Sequence, residues 1–101
     1  MTLHGIEIPQ EQIAAFCREN GVRRLALFGS ILREDFRPDS DIDVLVEFQP
    51  GVRVGYLTMA RMARDFPDVM GRAVDMRTPA ELHPAFRDEV IKGALTEYVA
   101  A

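Results

Sequence analysis

The chain has no tryptophan, one lysine and one cysteine among its 101 residues. Cys17, being alone, can form no internal disulfide and build no cysteine zinc cluster, so it reads as a small buried hydrophobe in a reducing compartment. No apolar run approaches the roughly 20 residues of a membrane helix, and Met1 to Gln12 lack the basic start and apolar stretch of a secretory signal. A cytoplasmic location with no membrane partner is expected. Clustered cations are missing too: the net charge is -4 and the pI about 5.1, which disfavours direct binding to nucleic-acid backbones. The twelve cationic residues are arginines except for Lys92, so a local phosphate pocket is still open to the chain. Repeats, low-complexity tracts and linkers are absent, which predicts one domain over residues 1–101. A hydrophobic content of 48% and a charged content of 28% match folded globular proteins.

Along the chain, Ile13, Phe16 and Cys17 recur at helical spacing between Gln10 and Asn20, with Pro9 before them and Gly21 after. Val22 to Phe28 is a short apolar run that predicts a buried strand, delivered at Gly29-Ser30 to a tight turn. Ile31 to Glu34 is expected to add a helical turn, and Phe36 to Ser40 a loop. From Asp41 to Phe48, Ile42, Val44, Val46 and Phe48 alternate with Asp41, Asp43, Leu45 and Glu47, the period-two pattern of a strand. Gly55 to Asp65 predicts a helix packing through Leu57, Ala60 and Ala63 or Arg64, with Pro67 expected to interrupt or restart it. Ala73 to Arg77 predicts a third strand, and Thr78-Pro79-Ala80-Glu81 a capped helix start that His83-Pro84 breaks. Phe86, Val90, Ile91, Ala94, Leu95 and Tyr98 then form one stripe of an expected final helix. The fold class that follows is α+β, with α/β-like alternation: a small mixed sheet, helices on one side and an open cleft on the other.

Two aspartates at i and i+2 of a strand share a face, with Cα atoms roughly 6.6 Å apart. Asp41 and Asp43 can therefore address one region, and Asp75 can add a third carboxylate if its strand lies beside theirs. Hard oxygen ligands of this kind suit Mg²⁺, and paired divalent cations about 3.5 to 4 Å apart serve phosphoryl transfer. A strand that ends in glycine and turns into a helix presents free N–H groups to anions, phosphate above all. Gly29 allows close backbone approach, and the Ser30 hydroxyl can donate to a phosphate oxygen.

Gly29-Ser30, ten residues, then Asp41-Ile42-Asp43 is a spacing that chance produces in about one chain per thousand of this length. It resembles the signature of the polymerase-beta-like nucleotidyltransferase superfamily. LFGSILREDFRPDSDIDVLVEF, residues 27 to 48, is similar to the minimal nucleotidyltransferase (MNT) family, of the antitoxin type found in HEPN/MNT toxin–antitoxin systems. The resemblance continues through VDMRTPAEL (74 to 82) and FRDEVIKGALTEY (86 to 98), and so covers most of the chain. It implies a polymerase-beta-like nucleotidyltransferase fold and transfer of AMP from ATP, with two Mg²⁺ ions, to a tyrosine hydroxyl of a partner HEPN-type toxin, in a hetero-oligomer with that toxin. Carried onto this chain, Gly29 and Ser30 would hold the triphosphate, Asp41 and Asp43 would bind both metals, and Asp75 would bind the catalytic one and help deprotonate the acceptor. Many relatives have glycine where this chain has Glu34, and continue a helix where it has Pro67.

Each residue also has a plainer reading. PDSD is good turn chemistry, and Asp75 could be an edge-strand acid paired with Arg77 or Arg72. Arg33 and Arg37 could neutralise phosphate charge or lie on the surface as ordinary arginines; Arg33 is kept among the nucleotide-binding candidates. Ser40 reads as fixing its loop, His4 and His83 as surface or capping residues, and Met59, Met62, Met70 and Met76 as core filler. Against the enzyme stands a non-catalytic antitoxin that neutralises its toxin by binding alone. A transferase acting on an antibiotic or an RNA is weaker, because the chain has no room for a separate substrate domain.

Overall fold

The computed structural model describes residues 2–100; Met1 and Ala101, the ends of the expected domain, lie outside them. It opens with two short strands, β1 (Thr2–Leu3) and β2 (Ile6–Glu7), paired antiparallel as a hairpin that the sequence reading did not anticipate. Its two-residue turn is His4-Gly5, both with positive φ (52° and 76°), as a hairpin turn that follows strand twist requires. Helix α1 (Gln10–Glu19) follows and buries Ile13, Phe16 and Cys17, the residues that helical spacing singled out.

Strand β3 (Val22–Phe28) leads into one 3₁₀ turn over Gly29–Leu32, and β4 (Ile42–Phe48) returns antiparallel to β3. Helix α2 (Tyr56–Met70) crosses over to β5 (Val74–Arg77), which pairs parallel to β4. A second 3₁₀ turn (Pro79–Glu81) and the short helix α3 (Arg87–Gly93) lead to β6 (Leu95–Val99), antiparallel to β3. The sheet order is β5-β4-β3-β6, a mixed sheet in which β4 and β3 are central.

Several expectations are corrected. The final helix stops at Gly93, and the segment that carries Leu95 and Tyr98 of its supposed stripe is a strand. Thr96, Tyr98 and Val99 favour extended backbone, and pairing with the open edge of β3 decides the matter. Pro67 lies inside α2 without breaking it. The carbonyl it leaves unbonded belongs to Ala63, on the exposed face, where water can satisfy it. The buried face of α2 is also a different one: Met62, Phe66 and Met70 are buried, with Met59 and Val69 packed against the core, whereas Leu57, Ala60 and Ala63 face outward. The capping box at Thr78 does form, Glu81 Oε1 accepting from Thr78 N at 2.9 Å, but it caps a single turn.

One sheet face packs on α1 and α2 through Leu25, Leu27, Ile42, Val44 and Val46, all completely buried. Ile42 to Val46 supply three alternate apolar side chains to that face, so Asp43 and Leu45 must point to the other. Ala26 and Leu45 are register partners on this second face, and they are buried outside the main cluster together with Leu82. The second face is therefore partly roofed by residues 79–93, rather than left open as expected. Arg24 Nη2 bridges to it, donating to the Ile91 carbonyl at 3.4 Å. Among the described residues no helix is long and apolar enough to cross a membrane.

Candidate active site

Asp43 is the register partner of Phe28 on one side and of Asp75 on the other. Directly paired residues on neighbouring strands project to the same face about 4.8 Å apart, so Asp43 and Asp75 stand side by side. Asp41 immediately precedes β4 and is separated from Asp43 by Ile42, whose side chain is fully buried in the core. The polypeptide thus anchors Ile42 inward and leaves its two acidic neighbours on the outer side.

Gly29, the residue after Phe28, turns with φ of 73° beneath the Asp43 carboxylate. A Cβ at this position would collide with Asp43 Oδ2 and come within 3.0 Å of its Cγ. Only glycine satisfies both the backbone and the space, so the turn and the carboxylate share one point. Burial pushes the Asp43 carboxyl above the usual aspartate value, and the Asp75 and Asp41 charges add to that rise. Hydrogen bonding from the Ser30 backbone and the Arg77 charge oppose it. The expected helix N-terminus after Gly29 is reduced to one 3₁₀ turn, closed by Arg33 N–H donating to Ser30 O at 3.0 Å.

Asp75 is engaged in the way its plainer reading foresaw. Its Oδ2 accepts from Arg77 Nε and Nη2, each at 3.2 Å, with Arg77 two residues along the edge strand β5. Among the described residues no three His, Cys, Asp or Glu side chains are arranged as a metal site, and Asp75 is held in an ion pair with Arg77. Both side chains of the pair are nearly half exposed, 45% and 41%, so little energy holds it closed.

Beside Gly29 lies a cleft of about 420 Å³ between the turn and α3, lined by Phe28, Gly29, Leu32, Arg33, Phe86 and Val90 among others. Arg33 sits on its lip in an exposed pair with Asp35 at 3.2 Å. Arg37 and Glu34 are exposed, and Ser40 fixes its loop, its N–H donating to Arg37 O at 3.0 Å. His83 caps locally through Nδ1, which accepts from Ala85 N–H at 3.1 Å. Two residues beyond those singled out by motif bear on the site. Arg72 and Phe36 form a cation–π pair at 5.2 Å under the loop that leads to Asp41. No local pattern announces them, because the partners of Arg72 are backbone carbonyls more than thirty residues away.

Comparison with known proteins bears on the same segments. Residues 10–98 match the model of the nucleotidyltransferase domain family. A predicted protein adenylyltransferase of Methanocaldococcus jannaschii is 33% identical over 86 residues, covering 85% of this chain and 90% of the relative. The solved structure of a predicted minimal nucleotidyltransferase superposes with a TM-score of 0.70 at 32% identity, over 85% of this chain and 86% of that one. A toxin–antitoxin structure with AMP-PNP gives a TM-score of 0.70 at 17% identity, over 90% of this chain and 73% of that one. A structure of a tri-AMPylated Shewanella oneidensis HEPN toxin in complex with MNT antitoxin gives 0.64 at 17%, over 91% and 71%. Those last two likenesses carry the fold. With a glycine-led turn beneath paired aspartates and a family match across nearly the whole sequence, this chain belongs to the nucleotidyltransferase domain family, in its minimal, MNT-like form.

Proposed function

We propose that the chain transfers AMP from ATP to a tyrosine hydroxyl of a partner HEPN-type toxin and so acts as its antitoxin. The observation that carries this reading is the in-register pair Asp43 and Asp75 over Gly29, with Asp41 adjoining. Asp43, held above the usual aspartate range by burial and by the Asp75 and Asp41 charges, forms with those two acids a donor set that hard divalent cations would relieve. Asp41, Asp43 and Asp75 would hold two Mg²⁺ ions, which when bound neutralise charge on the phosphates. Fit requires Asp75 to exchange Arg77 for the cation, a modest demand on an exposed pair.

The remaining roles belong to the chain itself. Gly29 and Ser30 let the triphosphate approach the backbone, Arg33 lies on the cleft lip where it can meet phosphate charge, and the cleft beside them receives the nucleoside. Asp75 takes the proton of the acceptor hydroxyl as its oxygen bonds to the α-phosphorus and the bond to the pyrophosphate oxygen breaks. The names borne by the M. jannaschii relative and by the toxin–antitoxin neighbours support protein as the acceptor.

Incubation of the purified chain with labelled ATP, Mg²⁺ and the HEPN protein encoded beside it tests this. Tyrosine-linked AMP on the partner is expected, reduced by about a hundredfold or more in Asp43→Asn, the scale of losing one preorganised charge at a transition state. The engagement of Asp75 by Arg77 favours one alternative, neutralisation by binding alone. Inhibition of the toxin with no label transferred, and no change in Asp43→Asn, would decide for it.

A further inference from the structure

We infer that Arg72 is a positioning residue that sets the conformation of Asp41 through the peptide groups on either side of it; this deepens the functional reading above and rests on it. The Ser40 carbonyl belongs to the peptide that leads into Asp41, and it accepts from Arg72 Nη2 at 3.0 Å. The Ile42 N–H belongs to the peptide that leaves Asp41, and it donates to the Ala73 carbonyl at 3.1 Å. Residues 72 and 73 therefore hold both peptide planes flanking the Asp41 Cα. With both planes held, little freedom remains in its φ and ψ.

The same guanidinium reaches further into the loop. Arg72 Nη2 also donates to the Pro38 carbonyl, and its Cζ lies 5.2 Å above the Phe36 ring. Phe36 is backed by the hairpin turn, its ring centroid 5.1 Å from that of His4. His4 Nε2 in turn lies 2.9 Å from the Ile31 carbonyl. Start, middle and end of the segment between Ser30 and Asp41 are thus gripped from outside by two residues distant in sequence. Leu32 to Asp35 and Arg37 to Asp39 are exposed, so this grip supplies order that core packing does not. Arg72 also begins the approach to β5, which carries Asp75, and so ties the two acid-bearing strands at their common end.

The discriminating variants are Arg72→Met, which keeps an aliphatic stem on Phe36 and removes the donors, and Arg72→Lys, which restores one charged donor. Arg24→Met is the control: Arg24 bonds Glu47, Thr96 and the Ile91 carbonyl at the opposite end of the sheet. Two measurements suffice. Amide exchange at Asp41 and Ile42, read by NMR without nucleotide, should quicken by about tenfold in Arg72→Met, as a surface segment losing its ties opens more often. The Mg²⁺ concentration that half-saturates AMP-PNP binding, read by calorimetry, should rise roughly 10- to 100-fold, the range for losing an outer-shell partner. Arg72→Lys should recover part of both, and Arg24→Met should lower the melting temperature and move neither. Unchanged exchange and unchanged Mg²⁺ dependence in Arg72→Met, or equal shifts in Arg24→Met, overturn the positioning role. Absence of Mg²⁺-dependent uptake by the wild type overturns the functional reading along with it, whereas wild-type uptake that Arg72→Met leaves unaltered overturns the positioning role alone.

Discussion

A methyl group at position 29 would meet the Asp43 carboxylate head on, at a backbone φ of 73° that side chains rarely adopt. Gly29→Ala should therefore cost at least about 1 to 2 kcal/mol from the left-handed backbone alone, before Asp43 is displaced. Urea denaturation would measure the loss, and a variant as stable as the wild type would show that the turn can relax. Asp43 itself carries a second residue-scale expectation. Its carboxyl is raised above the ordinary 3.8 chiefly by burial and by Asp75. For an acid raised in the folded state, the folded form is not penalised below the unfolded value, where both states are protonated. Stability then falls as pH rises through the folded value, since the unfolded chain releases its proton first. Asp43→Asn keeps an oxygen to accept from the Ser30 backbone and carries no charge. It should therefore melt at a higher temperature than the wild type near pH 7, with the gain vanishing near pH 3. A difference that is the same at both pH values would remove the half-buried charge of Asp43 as its cause.

At the scale of elements, α2 continues through a residue that cannot complete its hydrogen-bond ladder. Phe66 and Met70, buried on either side of Pro67, anchor the helix by packing, so it tolerates the defect instead of lacking it. Pro67→Ala restores the bond to Ala63 and relieves the ring clash, and should stabilise the chain by about 1 to 3 kcal/mol. Calorimetric melting would test this, an unchanged midpoint meaning that the helix already relaxes around the ring. Pro67 also marks where local reading of the sequence stops working. Helix α1 and strands β3 and β4 are legible because each depends on residues within a turn or two of one another, and the Gly29-to-Asp43 spacing because it is a fixed motif. The Leu57, Ala60, Ala63 face of α2 is the wrong one by spacing alone, whereas Met59, Met62 and Met70, read as core filler, are core residues as expected. The Leu95–Val99 strand was misread because its partner, β3, lies some seventy residues earlier, and edge pairing leaves no local mark. Asp75 is legible as a third carboxylate only by context, on the condition that its strand lies beside that of Asp43, and its pairing with Arg77 only as one of two plain alternatives. Arg72 is not legible as a loop anchor because carbonyl groups, its partners, are common to every residue.

For the whole molecule, β6 is the piece that closes the sheet. It covers β3 from Arg24 to Leu27, the strand that leads into Gly29, and Gln10 of α1 reaches it through a 3.0 Å bond to Glu97. The strand that delivers the turn to Asp43 is thus central only because the last segment of the chain returns beside it. Without β6, β3 would become an open edge with free backbone donors and acceptors next to apolar Leu25 and Leu27, a template for pairing with other chains. A chain truncated after Ala94 should therefore lose cooperative melting and associate in a concentration-dependent way, as followed by light scattering across a dilution series. Its Mg²⁺-dependent nucleotide binding should fall with the fold, since Phe28 and Gly29 stand at the end of the strand left unpaired. A truncated chain that stays monomeric and melts at the wild-type temperature would show instead that β4 and the core beneath it suffice to hold β3, and that β6 is dispensable to the site.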